Sequence, residues 1–137
     1  VDDKILKEIE NSNLKDSLNN VGYLSHLEAN AEMQSSDVLL ITNFPDDSSK
    51  GIIPGKIFEY LATGKPILSF GPRESDVKKI LDETKAGQHF AYDDADSVKK
   101  FFLEKFEGWK SGAENSQPRN IEQFSRKNLT KKLSELL

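Results

Sequence analysis

The run Gly51-Ile52-Ile53-Pro54-Gly55-Lys56 sets two glycines and a proline directly ahead of an apolar-periodic stretch, Ile57 to Thr63. A helix opening there offers unpaired N–H groups and a partial positive charge, a combination that suits an anion and most naturally a phosphate. With Lys56 at zero and about 100° per residue, Ile57, Phe58, Leu61 and Ala62 share one face. Lys56, Glu59, Tyr60 and Thr63 share the opposite arc. The helix thus buries one side and presents a Lys/Glu pair on the other. Lys and Glu three positions apart often form only a weak surface contact of about 0.2–0.5 kcal/mol. A lysine in the first turn opposes the helix dipole, however, and an anionic ligand would account for its placement.

Positioning such a site requires a rigid scaffold, and the chain reads as strands alternating with helices. A short amphipathic helix comes first, from Asp3 to about Ile9. Val21 to Leu24 reads as a short strand. Ser25 and Glu28 have capping-box spacing, so a helix is expected from Ser25 to about Ser35. Asp37 to Thr42 is a continuous apolar run of the kind buried on both faces of a parallel sheet, and a polar loop, Asn43 to Gly51, follows. Pro54 to Thr63 is predicted helical, with Gly64 as its left-handed cap and Pro66 opening the next strand, Pro66 to Phe70. A helix from Ser75 to Lys85 with Gly87 as its stop, a strand over Gln88 to Tyr92, and helical periodicity over Val98 to Trp109 complete the alternation. Ile121 to Leu136 is also helical in spacing, with a slip near Ser125. The expected fold is α/β, a Rossmann-like open parallel sheet with helices on both faces. Ligands of such sheets bind at the carboxyl ends of the strands, here the loops after Leu24, Thr42 and Phe70.

Composition narrows the function classes. The 137 residues are 36% apolar, enough for one compact domain with a core. Nineteen basic and 23 acidic side chains give a net charge of −4 with no basic block, so no nucleic-acid partner is expected. Cysteine is absent, and the two histidines, His26 and His89, lack ligand spacing, so no metal is expected. No apolar run reaches the roughly 20 residues of a transmembrane helix.

The stretch Gly55-Lys56-Ile57-Phe58-Glu59-Tyr60-Leu61-Ala62-Thr63-Gly64-Lys65-Pro66-Ile67-Leu68 strongly resembles the donor-site segment of GT-B glycosyltransferases of the group 1, glycogen-synthase-like type. Val21 to His26, Ala31 to Ile41 and Phe124-Ser125-Arg126 resemble the same family's flanking elements, so about three quarters of the chain can be placed in it. The resemblance implies the C-terminal half of a GT-B fold, which binds a nucleoside-diphosphate sugar as donor substrate without another cofactor. It implies that Glu59 holds the ribose hydroxyls, since a carboxylate accepts two hydrogen bonds from a diol. Ile53, Pro54, Gly55 and Lys56 match positions facing the diphosphate or sugar, with Lys56 offsetting charge on the leaving nucleoside diphosphate. Tyr23 and Leu24 match the turn where the base lies. Gly51 departs from the pattern, because many retaining members carry a glutamate there.

The other half of such an enzyme, an N-terminal Rossmann domain supplying the acceptor site and the catalytic base, would precede Val1. The chain is therefore expected to be a single nucleotide-sugar-binding domain, 1–137, from a longer two-domain protein, inactive alone. A cytoplasmic setting, peripheral to the membrane in the full-length protein, is the corresponding expectation. Competing readings are a non-catalytic α/β nucleotide-binding or interaction module, and half of a nucleotide-sugar epimerase. Among other residues, His26 reads first as an exposed cap residue, Ser75 and Asp76 as a helix start, and Phe101, Phe102, Phe106 and Trp109 as a core face rather than a sugar platform.

Overall fold

A computed structural model describes residues 3–113 and 117–136. The chain divides into two compact units, Val1–Ala31 and Glu32–Leu137. In the first, helix α1 (Asp3–Glu10) buries none of its residues, and a 3-10 turn follows at Lys15–Ser17. Helix α2 (His26–Ser35) opens as its sequence predicts: the Ser25 N–H donates to Glu28 Oε2 at 2.8 Å, and the Glu28 N–H donates to Ser25 Oγ at 3.4 Å.

Val21 to Leu24 forms no strand. Gly22 takes a left-handed conformation (φ +70°) and donates its N–H to Asn20 Oδ1 at 3.3 Å, which bends the backbone where the apolar pattern implied extension. Tyr23 is fully exposed.

The second unit contains a three-stranded parallel sheet in the order β1 (Leu39–Thr42), β2 (Ile67–Phe70), β3 (Gly87–Phe90). Helices α3 (Lys56–Thr63) and α4 (Asp76–Thr84) connect consecutive strands, and α5 (Ala95–Lys110) and α6 (Arg126–Ser134) follow. Because side chains alternate across a strand, each sheet face builds its own core. Ile41 and Ile67 pack with Ile57 and Leu61 of α3 and Val77, Ile80 and Leu81 of α4. Leu68 and Phe90 pack with Phe101 of α5 on a separate cluster. The chain is thus α/β with a Rossmann-like open parallel sheet.

Two sequence expectations need correction. Gly87 does not stop α4. Lys85, left-handed at φ 54°, ends that helix, and Gly87 enters β3 instead. The face expected to unite Phe101 with Phe102, Phe106 and Trp109 splits: Phe101 is 1% exposed, whereas Phe102, Phe106 and Trp109 are 49%, 53% and 65% exposed. The slip expected near Ser125 is present: this residue separates the two C-terminal helical segments, and its Oγ caps α6 by accepting from the Asn128 N–H. Among the described residues of this segment, Ile121 and Phe124, in a 3-10 turn before Ser125, pack against the core.

Candidate functional site

The loop after β1 carries the predicted anion site, and Asn43 fastens it down. The Asn43 N–H donates to Phe70 O (2.8 Å), its Nδ2 donates to Ile52 O (2.8 Å), and its carbonyl accepts from the Tyr92 hydroxyl (2.8 Å). One asparagine thereby ties the end of β1 to the loop, to the last residue of β2 and to the segment following β3. Buried Ser49 adds a bond to Phe44 O and another to Asp46 O. Asn43 was not among the residues singled out from sequence. Its signal there is a polar side chain directly after a buried strand, a position that must either cap or brace the departing loop.

Helix α3 starts at Lys56, two residues later than its apolar pattern suggests. The Ile57 N–H is taken by Pro54 O (3.0 Å) and the Phe58 N–H by Gly55 O (3.3 Å). Proline has no N–H, so the open donors of this helix start are those of Gly55 and Lys56, which have no acceptor among the described residues. An added Cβ at Gly55 meets nothing within 4 Å. Ile53, Gly55 and Lys56 are exposed and Pro54 is half-buried. The helix ends at Gly64, left-handed at φ 70°, as predicted.

Lys56 and Glu59 do not pair with each other. Lys56 Nζ lies over the Tyr60 ring, 5.8 Å from its centroid, and no carboxylate approaches it within ion-pair distance among the described residues. Glu59 is exposed, and its carboxylate has no hydrogen-bond or ion-pair partner among the described residues. Tyr60, placed on the outer arc by the wheel, instead packs half-buried against the core. Its hydroxyl is pushed above its usual value, first by burial and then by the neighbouring Glu59 charge. Phe58, expected inward, stays 39% exposed beside Phe124, with ring centroids 5.7 Å apart.

At the carboxyl edge of the sheet a cleft of about 420 Å³ is lined by residues from the loops after all three strands, including Lys50, Arg73, Glu74 and Tyr92. Arg73 bridges to Asp93 at 2.7 Å, linking the loops after β2 and β3. Beneath it, His89 engages both ring nitrogens. Its Nε2 hydrogen bonds Pro72 O at 2.8 Å, so Nδ1 accepts from the Ser69 hydroxyl at 3.0 Å. Gly71 packs on this ring. His89 thus holds the Gly71 to Ser75 turn, a role its spacing in the sequence did not reveal.

Ser75 is a helix cap, as predicted: its Oγ accepts from the Lys78 N–H at 3.1 Å. His26 sits exposed in the first turn of α2, where its Nε2 is 3.3 Å from Asn30 Nδ2. Tyr23 and Leu24 belong to the first unit, and the site around α3 to the second. Among the described residues no cluster of three or more histidines and carboxylates is arranged to hold a metal ion, and no helix is long and apolar enough to cross a membrane.

No protein-family model matches the chain, and neither a curated protein nor a solved structure does. The class that the fold itself defines is a Rossmann-like α/β protein with an open helix start after its first sheet strand.

Proposed function

We propose that this chain is the donor-binding domain of a glycosyltransferase that moves a sugar from a nucleoside-diphosphate sugar to an acceptor. The observation that carries the reading is the start of α3. Among the described residues, two open N–H groups, an ammonium unpaired with any carboxylate and an unengaged carboxylate lie within five consecutive residues, Gly55 to Glu59. The amides and Lys56 receive the diphosphate, and Glu59 accepts hydrogen bonds from the ribose diol. As the sugar leaves, negative charge grows on the diphosphate, and the preorganised amide dipoles and ammonium stabilise it. The acceptor site and catalytic base belong to an N-terminal Rossmann domain acting in cis, and the donor substrate is the one small-molecule partner assigned to this half.

Calorimetric titration of the chain with uridine, guanosine and adenosine diphosphates tests the reading. Binding of one of them is expected, and binding of none refutes it. A second reading, an interaction module, draws on the exposed groove of about 490 Å³ formed by Val38, Phe102, Phe106 and Trp109. Nucleotide affinity lost on Glu59→Ala separates the two.

A further inference from the structure

We infer that the exposed aromatic face of α5 is a self-association surface, on which a second copy of this chain packs its own α5 in antiparallel order about a two-fold axis. Phe102, Phe106 and Trp109 form one stripe along the helix, set to one side of the buried Phe101. The stripe is held rigid: Phe102 packs edge-on against Phe101 with ring centroids 5.8 Å apart, and Phe106 stacks on Trp109 at 5.8 Å. Leu103, also exposed, borders it on the outer side. With Asp37, Val38, Gly112 and Ala113 the three rings line the groove of about 490 Å³. Asp37 and Val38 stand just before β1, and Gly112 and Ala113 just after α5, so the groove reaches the amino ends of the strands. The candidate donor site lies in the loops that leave their carboxyl ends, and a copy seated on α5 leaves that edge free.

The occupant is a second copy because α5 is complementary to itself. Across a two-fold interface each contact occurs twice, with the roles of the two copies exchanged. Let the axis pass at Glu104, whose side chain lies on the far side of the wheel from the stripe. Phe102 then meets Phe106 of the other copy, and Lys99 meets Trp109, an ammonium beside the aromatic face it favours most. Asp96 comes beside Lys110 of the other copy, and the antiparallel helices set opposite dipole ends together. Within α5 the pair Lys100–Glu104, 3.9 Å apart, lies away from the stripe, and among the described residues Asp96, Lys99 and Lys110 have no ion-pair partner. An aromatic side chain carries about 150–250 Å², so at their exposures the three rings present roughly 330 Å² per copy. Specific interfaces bury about 1,200–2,000 Å² in total, so the rings supply about half of the lower figure, and Leu103 and the groove walls add to them. Such an interface suits a reversible dimer with a dissociation constant on the order of 10–100 µM.

Sedimentation equilibrium over a concentration series tests the inference, with the mass expected to rise from 15.4 kDa to twice that value and no further. Trp109 is the only tryptophan, so acrylamide quenching of its fluorescence reports on this face alone and should fall along the same isotherm. Phe106→Glu should weaken association roughly tenfold or more, with the circular dichroism spectrum unchanged because the residue is exposed. Lys110→Glu should weaken it about fivefold, and adding Asp96→Lys to the same chain should restore it, since the two charges meet only between antiparallel copies. A chain that stays monomeric to about 1 mM overturns the inference and leaves the face to another domain or protein. Association that does not protect Trp109, that survives Phe106→Glu, that continues past the dimer, or that the charge exchange fails to restore also overturns it. None of these outcomes bears on nucleotide binding.

Discussion

Replacing Gly87 by alanine should unzip β2 from β3, and its cost follows from the geometry. A Cβ at this position would lie 1.9 Å from Ile67 O and 2.6 Å from Ile67 C, both backbone atoms that no rotamer change can remove. The neighbouring strand must retreat by roughly 1.5 Å to reach an ordinary contact, which carries the adjacent Ile67 N–H to Ala86 O bond, 2.9 Å in the native chain, out of hydrogen-bonding range. An unsatisfied buried backbone group costs about 1–3 kcal/mol, and the disturbed packing of Ile67, which is 0% exposed, adds to it. A loss of about 3 kcal/mol is a large share of the 5–15 kcal/mol that typically holds a domain together. With a urea m-value near 1.5 kcal/mol/M, the unfolding midpoint followed by circular dichroism should fall by about 2 M. Gly108→Ala is the control. It lies inside α5, where an added Cβ meets nothing within 4 Å, and should raise stability by up to about 1 kcal/mol. A Gly87→Ala midpoint within about 0.3 M of the native one would refute the register assigned to β2 and β3.

Three further outcomes follow from the site and its supports. Gly55→Ala should leave the melting temperature nearly unchanged, because Gly55 already has helical angles (φ −55°, ψ −32°) and open space, yet it should weaken nucleoside-diphosphate binding by crowding the amides, as parallel thermal melts and titrations would show. Asn43→Ala removes the clamp on Ile52 O and should destabilise the chain by about 1–2 kcal/mol in urea titration, with faster amide exchange in the loop up to Gly55. Ser25 bonds hold the Glu28 carboxyl below its usual 4.5, its side-chain hydroxyl contributing more than its N–H. A depressed carboxylate stabilises the fold above its unfolded pKa and loses that contribution as pH falls through the folded value. Amide shifts at Ser25 should therefore titrate with a midpoint below 4.5, and Glu28→Gln should abolish the transition.

Much of this architecture is legible in the sequence because burial on both faces leaves continuous apolar runs. Ile67 to Phe70 stands out for that reason, whereas Leu39 to Thr42, read as buried on both faces, buries only Leu39 and Ile41 and leaves Leu40 49% exposed because nothing covers its other face as fully. Gly64 and Ser75 mark helix ends through chemistry local to a few residues. Val21 to Leu24 misled because an apolar quartet gives no information about whether a partner strand pairs with it, and Gly22 had the freedom to turn. The Lys56 and Glu59 positions were visible from periodicity. Their mutual independence was not, because it depends on Tyr60 folding inward and receiving the ammonium. The roles of Asn43 and His89 arise from contacts 9 to 49 positions apart, which no local pattern encodes.

The central claim is that Glu59 binds the ribose diol, and a thermodynamic cycle tests it most directly. Calorimetry would measure the nucleoside diphosphate that binds and its 2′,3′-dideoxy analogue against the native chain and Glu59→Ala. Two charge-assisted hydrogen bonds predict a coupling of about 2 kcal/mol or more, with the dideoxy analogue already weak on the native chain and little affected by the substitution. Equal losses from Glu59→Ala for both ligands, or no loss for either, would contradict the assignment of Glu59 to the ribose.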